Sequence, residues 1–272
     1  MAASILAVVA TVSRSVTDEV GYREYGDRQN PNIIVFLHGW GASKRLWEPI
    51  QNALADTVYS IAIDLPGTGG SVWRPDCSSM SGMVSWLRMS IKDISATPLF
   101  MVGHSLGGHL AALFAGQFPS LIRGLVLVDT PESGSVLPKR SEWPLGNHGP
   151  WMLNMTQAAT AAQLMIYRRF GDGSATIRGD MYLEDNTATG LHRQLRALHA
   201  SRIDTGTIRN ADFPRMVLSG DRDRMVALEH AANLALALEP CELHVFSRCG
   251  HCPMDDKPEQ FTAVIRDFCC HN

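Results

Sequence analysis

Apolar residues fall into short unbroken runs that alternate with stretches of helical spacing. Ile33-Ile34-Val35-Phe36-Leu37 is one such run, and it stops at His38-Gly39. A run of this length bounded by glycine predicts a strand buried on both faces. Leu46, Trp47, Ile50 and Leu54 then share one helical face, and Ser43 stands where a hydroxyl can cap the first free N–H groups. Residues 58–65 predict the next strand, closed by Pro66-Gly67. Met80, Met83, Val84, Leu87, Ile91 and Ile94 recur at helical intervals after it. Residues 98–103 predict a third strand, Leu106, Leu110, Leu113, Phe114 and Phe118 a helix, and residues 125–128 a fourth strand. Strand, helix, strand, helix is the pattern of a parallel sheet covered by helices on both faces.

The alternation stops after Asp129. Residues 131–212 are rich in Met, Trp, Arg and Ala, with helix-like stretches at 158–170 and 190–201 and no apolar run suited to a central strand. This predicts a mostly helical lid, 131–212, inserted between core segments 1–130 and 213–272. The alternation then resumes with a strand at 216–219, a helix at 228–238 and a strand at 243–246. Phe261, Val264, Ile265 and Phe268 make a closing helix. Near the start, residues 5–12 and 20–25 predict antiparallel edge strands, which brings the expected sheet to eight strands.

Composition narrows the function classes. The chain has 272 residues, 45% of them hydrophobic, enough to bury a core without disulfides or a structural metal. Lys plus Arg number 24 against 27 for Asp plus Glu, so nothing favours a nucleic-acid partner. No apolar stretch approaches the roughly 18 residues of a membrane-spanning helix. Residues 5–12 are apolar, but no Lys or Arg precedes them and Arg14 follows, which fits a strand better than an export leader. Five of the six cysteines crowd the last stretch (Cys241, Cys249, Cys252, Cys269 and Cys270, with Cys77 apart), which reads as reduced thiols of a cytoplasmic protein. Cys249 and Cys252 have the spacing of a zinc or redox pair, yet they flank His251, and no metal or other cofactor is expected.

Gly103-His104-Ser105-Leu106-Gly107-Gly108 joins a predicted buried strand to an apolar helix. A serine at the tip of such a turn projects its hydroxyl, and residues two before and two after it must be very small. The following helix aims free N–H groups and its positive dipole end at the same point. Ser105 is therefore the candidate nucleophile. A serine hydroxyl needs a base, and His251, in Arg248-Cys249-Gly250-His251-Cys252-Pro253, follows the last strand and so opens at the same sheet edge. The histidine needs an acid, and Ser219-Gly220-Asp221-Arg222-Asp223 ends the strand before it. Asp221 and Asp223 compete for that role, and Asp129, at the end of another strand, is the outside candidate.

Gly103 to Gly108 resembles the nucleophile elbow of the α/β-hydrolase family. His38-Gly39-Trp40-Gly41 resembles that family's oxyanion loop, and Asp64-Leu65-Pro66-Gly67-Thr68-Gly69-Gly70-Ser71 its next strand-end motif. Together with Gly-His-x-Pro at 250–253, the pattern resembles the pimeloyl-acyl-carrier-protein methyl ester carboxylesterase type. The resemblance implies a triad of Ser105, Asp223 and His251, with Asp223 preferred by Gly-x-x-Asp spacing from Gly220. It implies an oxyanion hole from the Trp40 and Leu106 N–H groups. The expected substrate is a small-molecule acyl ester or thioester, carrier-protein bound in the family type that the motifs resemble. Trp40, Trp151, Met155 and Met165 are candidate substrate-pocket residues. Two other readings stay open. One is carbon–carbon bond hydrolysis of a ring-cleavage product, against which Cys252 stands where an aromatic residue is usual. The other is a ligand receptor on the same fold.

Overall fold

The computed structural model describes residues 20–92, 94, 97–134 and 188–272. Its strands are β1 (Tyr22–Tyr25), β2 (Ile33–Leu37), β3 (Tyr59–Ile63), β4 (Leu99–His104), β5 (Ile122–Val128), β6 (Arg215–Gly220) and β7 (Glu242–Phe246). They form one seven-stranded sheet in the order β1-β3-β2-β4-β5-β6-β7. All pairs are parallel except β1 with β3. The expectation of eight strands is corrected to seven among the described residues, because the first predicted strand, 5–12, lies outside them.

The unbroken apolar runs have a direct structural cause. Along β2, Ile33, Val35 and Leu37 face one helical layer, while Ile34 and Phe36 face the other. On the first face lie α2 (Met80–Ile91) and α3 (Leu106–Gln117), which contribute Met83, Leu87, Leu110 and Phe114. On the second lie α1 (Glu48–Leu54) and the C-terminal Pro258–His271 helix, which contribute Ile50, Leu54, Phe261 and Phe268. Each fully buried Leu, Ile or Phe contributes about 1.5–3 kcal/mol, so strand side chains on both faces drive the sandwich. The helix expected from Ser43 begins instead as a 3-10 turn, Lys44–Trp47, with the Ser43 hydroxyl accepting from the Arg45 N–H. Pro49 near the start of α1 lacks the N–H that a helix continuing from Ser43 would need there.

Strand order reverses between β2 and β4. From β2 the chain moves to β3 on one side, and from β4 it moves to β5 on the other. Loops after those two adjacent strands therefore diverge and leave a crevice at the carboxyl edge, where ligands of open α/β sheets bind. Register fixes what meets there, because Leu37 lies beside Gly103, His104 beside Val128, Val128 beside Leu218 and Gly220 beside Phe246.

The chain leaves the sheet after β5 and returns close to its point of departure. Ser133 bridges Arg202, and the Ile203 N–H donates to the Glu132 carbonyl at 2.8 Å. Next to that junction, α4 (Ala188–His199) turns Leu191, Gln194, Ala197 and Leu198 inward. The Gln194 amide donates to the Pro66 carbonyl at 2.9 Å, so α4 rests on the loop after β3, at the crevice side of the sheet.

Candidate active site

Ser105 sits between β4 and α3 with φ 53° and ψ −117°. This conformation costs a side-chain-bearing residue about 1–3 kcal/mol, so the surroundings must impose it. The Ser105 N–H donates to the Val128 carbonyl at 2.8 Å, and its carbonyl accepts from the His109 N–H at 3.0 Å. Glycines let the turn close. A Cβ on Gly103 would strike the Gly107 carbonyl and the Gly108 Cα, and one on Gly107 would strike the carbonyls of Leu37 and His38. The first turn of α3 is thereby pressed against the end of β2.

Across the crevice, the loop after β2 is held by two buried side chains. His38 Nδ1 donates to the Gly39 carbonyl at 2.7 Å, and its Nε2 accepts from the Leu65 N–H at 2.9 Å. These two bonds fix the neutral Nδ1–H tautomer, and burial lowers the imidazole pKa in the same sense. Asp64 accepts from the Lys44 N–H at 2.7 Å, the Lys44 ammonium at 2.6 Å and the Gly70 N–H at 2.8 Å. Gly39 then runs directly over the serine turn, where a Cβ would lie 3.2 Å from Ser105 Cβ and 2.6 Å from His104 Nδ1. Trp40 follows, and its indole N–H donates to the Leu191 carbonyl of α4 at 2.8 Å. The ring thus ties this loop to the helix resting above it.

On the other side of β4, His251 and Asp223 are joined. His251 Nδ1 lies 2.7 Å from Asp223 Oδ2, with both residues buried. Asp223 Oδ1 accepts from the Met225 N–H at 2.6 Å and the Val226 N–H at 3.0 Å, so the turn after β6 orients the carboxyl. Asp221 accepts instead from the Cys249 N–H at 3.1 Å and braces the loop that carries His251. The Gly250 N–H donates to Asp256 Oδ2 at 2.8 Å. Cys249 and Cys252 are buried beside these braces, and the Cys249 thiol donates to Asp256 Oδ2 at 3.6 Å.

Comparison with known proteins agrees with this layout. The model of the alpha/beta hydrolase family matches residues 34–264. The chain belongs to that family. An uncharacterized protein of Mycobacterium tuberculosis is 25% identical over 254 residues, covering 86% of this chain and 74% of its own. The human monoacylglycerol lipase ABHD6 is 23% identical, with 86% of this chain and 74% of its own covered. Among solved structures, the enol-lactonase from Burkholderia xenovorans LB400 aligns with a TM-score of 0.78 at 18% identity, over 92% of this chain and 95% of the other. These matches fix the family and not the pimeloyl-ester type within it.

In this alpha/beta hydrolase the serine turn and the histidine loop touch through His104. Its Nε2 donates to the His251 carbonyl at 2.7 Å, and the two rings lie 4.8 Å apart. Burial and the neighbouring His251 hold His104 neutral, with its pKa far below the ordinary imidazole range. The fold therefore brings Ser105, His251 and Asp223 to one edge, with Trp40 and Leu106 on the two segments pressed together by Gly39 and Gly107. Trp151, Met155 and Met165 lie outside the described residues. Asp129, only an outside candidate by sequence, turns out to be buried beside Asp223. Its position after β5 was visible in the sequence, but the nearness of Asp223 depends on strand order. One cluster of three possible metal-ligand side chains occurs among the described residues: His104, Asp129 and His251, with donor atoms within 4.8 Å of one another. His251 is already bonded to Asp223 there, and a neutral His104 donates its proton to a carbonyl. These bonds suit a proton-handling network better than a cation site. Among the described residues, no helix is long and apolar enough to cross a membrane.

Proposed function

We propose that this chain is a serine esterase that cleaves small-molecule carboxylic esters through an acyl-Ser105 intermediate. The observation that carries the reading is the buried His251–Asp223 hydrogen bond, 2.7 Å long, on the loop that packs against the Ser105 turn. With Nδ1–H given to Asp223, the basic lone pair of the imidazole is on Nε2. His251 removes the Ser105 proton as Oγ attacks the ester carbonyl. The negative charge that develops on the carbonyl oxygen is met by the Leu106 and Trp40 N–H groups, each contributing about 3–4 kcal/mol to the transition state. His251 then protonates the leaving alcohol, the C–O bond breaks and the acyl group stays on Oγ. Water, deprotonated by the same imidazole, attacks the acyl carbon and releases the acid, returning the proton to Ser105. The lipase and lactonase names of the relatives both denote hydrolysis of an ester bond, which agrees with this chemistry.

In the same reading, residues 131–212 are an inserted lid, of which 135–187 lie outside the described residues. The paired departure and return at Ser133 and Arg202 and the seat of α4 on the Trp40 and Pro66 loops support it. Turnover of p-nitrophenyl esters with acyl chains of rising length, beside the matching thioesters, tests the proposal and sizes the pocket. Ser105→Ala is expected to lower kcat by about 10⁴-fold or more while the thermal melt is preserved. Full activity in that variant would remove Ser105 from the mechanism.

A further inference from the structure

Two carboxyl groups meet behind His251. Asp223 accepts N–H donors at both oxygens, from His251 and from the Met225 and Val226 backbone. Asp129 Oδ1 accepts from the Ser219 hydroxyl at 3.1 Å and the Gly220 N–H at 3.1 Å. Of these four oxygens, only Asp129 Oδ2 has no donor among the described residues, although it is fully buried. Its nearest titratable company is Asp223 from the turn after β6, His104 from the end of β4 and His251 from the loop after β7. His104 is neutral, so it cannot balance a second negative charge.

We propose that Asp129 is a positioning residue that carries the proton of an acid–carboxylate pair, donating it from Oδ2 to Asp223. The proposal rests on the assignment of Asp223 and His251 as the acid and base of the esterase. Two adjacent buried carboxyls cannot both be charged, and the one already holding three N–H donors keeps the charge. Burial and the Asp223 charge together push the Asp129 carboxyl well above the usual carboxylate range. An orphaned buried oxygen then becomes a donor, which removes the cost of leaving it unsatisfied. The pair presents a single negative charge to His251, and the donated hydrogen bond fixes where Asp223 points. The backbone at Asp129 agrees with a specified position, because its φ of 43° is in the left-handed region and its N–H is tied to the Leu218 carbonyl at 2.9 Å.

Asp129→Asn separates the two charge states. An amide imitates a protonated carboxyl, since its oxygen can accept from Ser219 and Gly220 while its NH₂ donates to Asp223. If Asp129 is protonated, the midpoint of the acid limb of kcat/KM in Asp129→Asn stays within about 0.3 pH unit of the parent, even if kcat falls. If Asp129 were ionised, the variant would lose a negative charge beside His251, and the midpoint would drop by about one unit. Difference infrared spectroscopy of the intact protein near neutral pH supplies a readout that needs no substrate and no variant activity. A carbonyl stretch of a protonated carboxyl, shifted by deuterium exchange and lost in Asp129→Asn, is expected. Absence of such a band in the parent protein overturns the proposal, as does the lowered midpoint. Failure of the esterase reading would show as missing turnover with the infrared band intact.

Discussion

Two buried imidazole–carboxylate neighbourhoods lie at the same sheet edge, one on each side of Ser105, and they are built to opposite specifications. On the β2–β3 side, both nitrogens of His38 and both oxygens of Asp64 have partners. On the β5–β7 side, His104 Nδ1 and Asp129 Oδ2 are buried without hydrogen-bond partners among the described residues. A saturated buried network has one arrangement and serves as a scaffold. A network with an unfilled valence can take up or redistribute a proton, which acid–base catalysis requires. The same residue types therefore serve differently, one set fixing the loops after β2 and β3 and the other adjoining the base of the proposed mechanism.

Matched substitutions break the comparison most sharply. Asp223→Asn is expected to lower kcat on a nitrophenyl ester by about 10⁴-fold, because the imidazole loses the acceptor that sets its tautomer. Its denaturation midpoint is expected to move little. Asp64→Asn is expected to do the reverse. It leaves the mostly buried Lys44 ammonium without its carboxylate and costs about 3–5 kcal/mol of stability, with kcat of the folded fraction within about tenfold of the parent. Equal kinetic losses in both variants, measured beside urea unfolding, would erase the distinction.

Stability against pH probes both sides together. Burial holds His38, His104 and His109 neutral, below the ordinary imidazole range. The unfolded chain protonates all three below about pH 6.5, so it binds more protons than the native state and stability falls as pH drops through that value. Each imidazole contributes about 1.4 kcal/mol per pH unit in that direction. Asp129 has the opposite sign, since its folded pKa is raised and it keeps a proton that the unfolded chain has released. Unfolding free energies at pH 7.5, 6.5 and 5.5 are expected to decline as pH falls, and more steeply in Asp129→Asn. A stability that rose as pH falls would mean that these imidazoles are charged in the native state, leaving only the Asp129 contribution. The smallest effect is expected where the loop after β2 meets α4. Trp40→Phe removes the indole bond to Leu191 and costs about 0.5–1.5 kcal/mol, read as a lowered melting temperature.

Much of the sheet was legible in the sequence because β2 to β6 are buried on both faces, which forces continuous apolar runs. The start of β5 was hidden, since Arg123 and Gly124 interrupt the run although both lie in the strand. The elbow was legible because its glycines answer a steric demand visible in the spelling of the chain, as the clash of a Cβ on Gly103 with Gly107 confirms. Position after successive strands pointed to His251 and to the Asp221 and Asp223 pair, and the resemblance to the family's Gly-x-x-Asp spacing preferred Asp223. The partnership of Asp129 with Asp223 could not, because it depends on strand order bringing the ends of β5 and β6 side by side. Nor could the reach of Trp40 to α4, which spans 151 positions of sequence.

In the proposed mechanism Ser105 Oγ is the atom that takes the acyl group. Reaction with an alkyl fluorophosphonate, followed by intact mass and peptide mapping, addresses it directly. One adduct is expected, located on Ser105, absent in Ser105→Ala and formed far more slowly in His251→Ala. An adduct on any other residue, or undiminished labelling of Ser105→Ala, would contradict it.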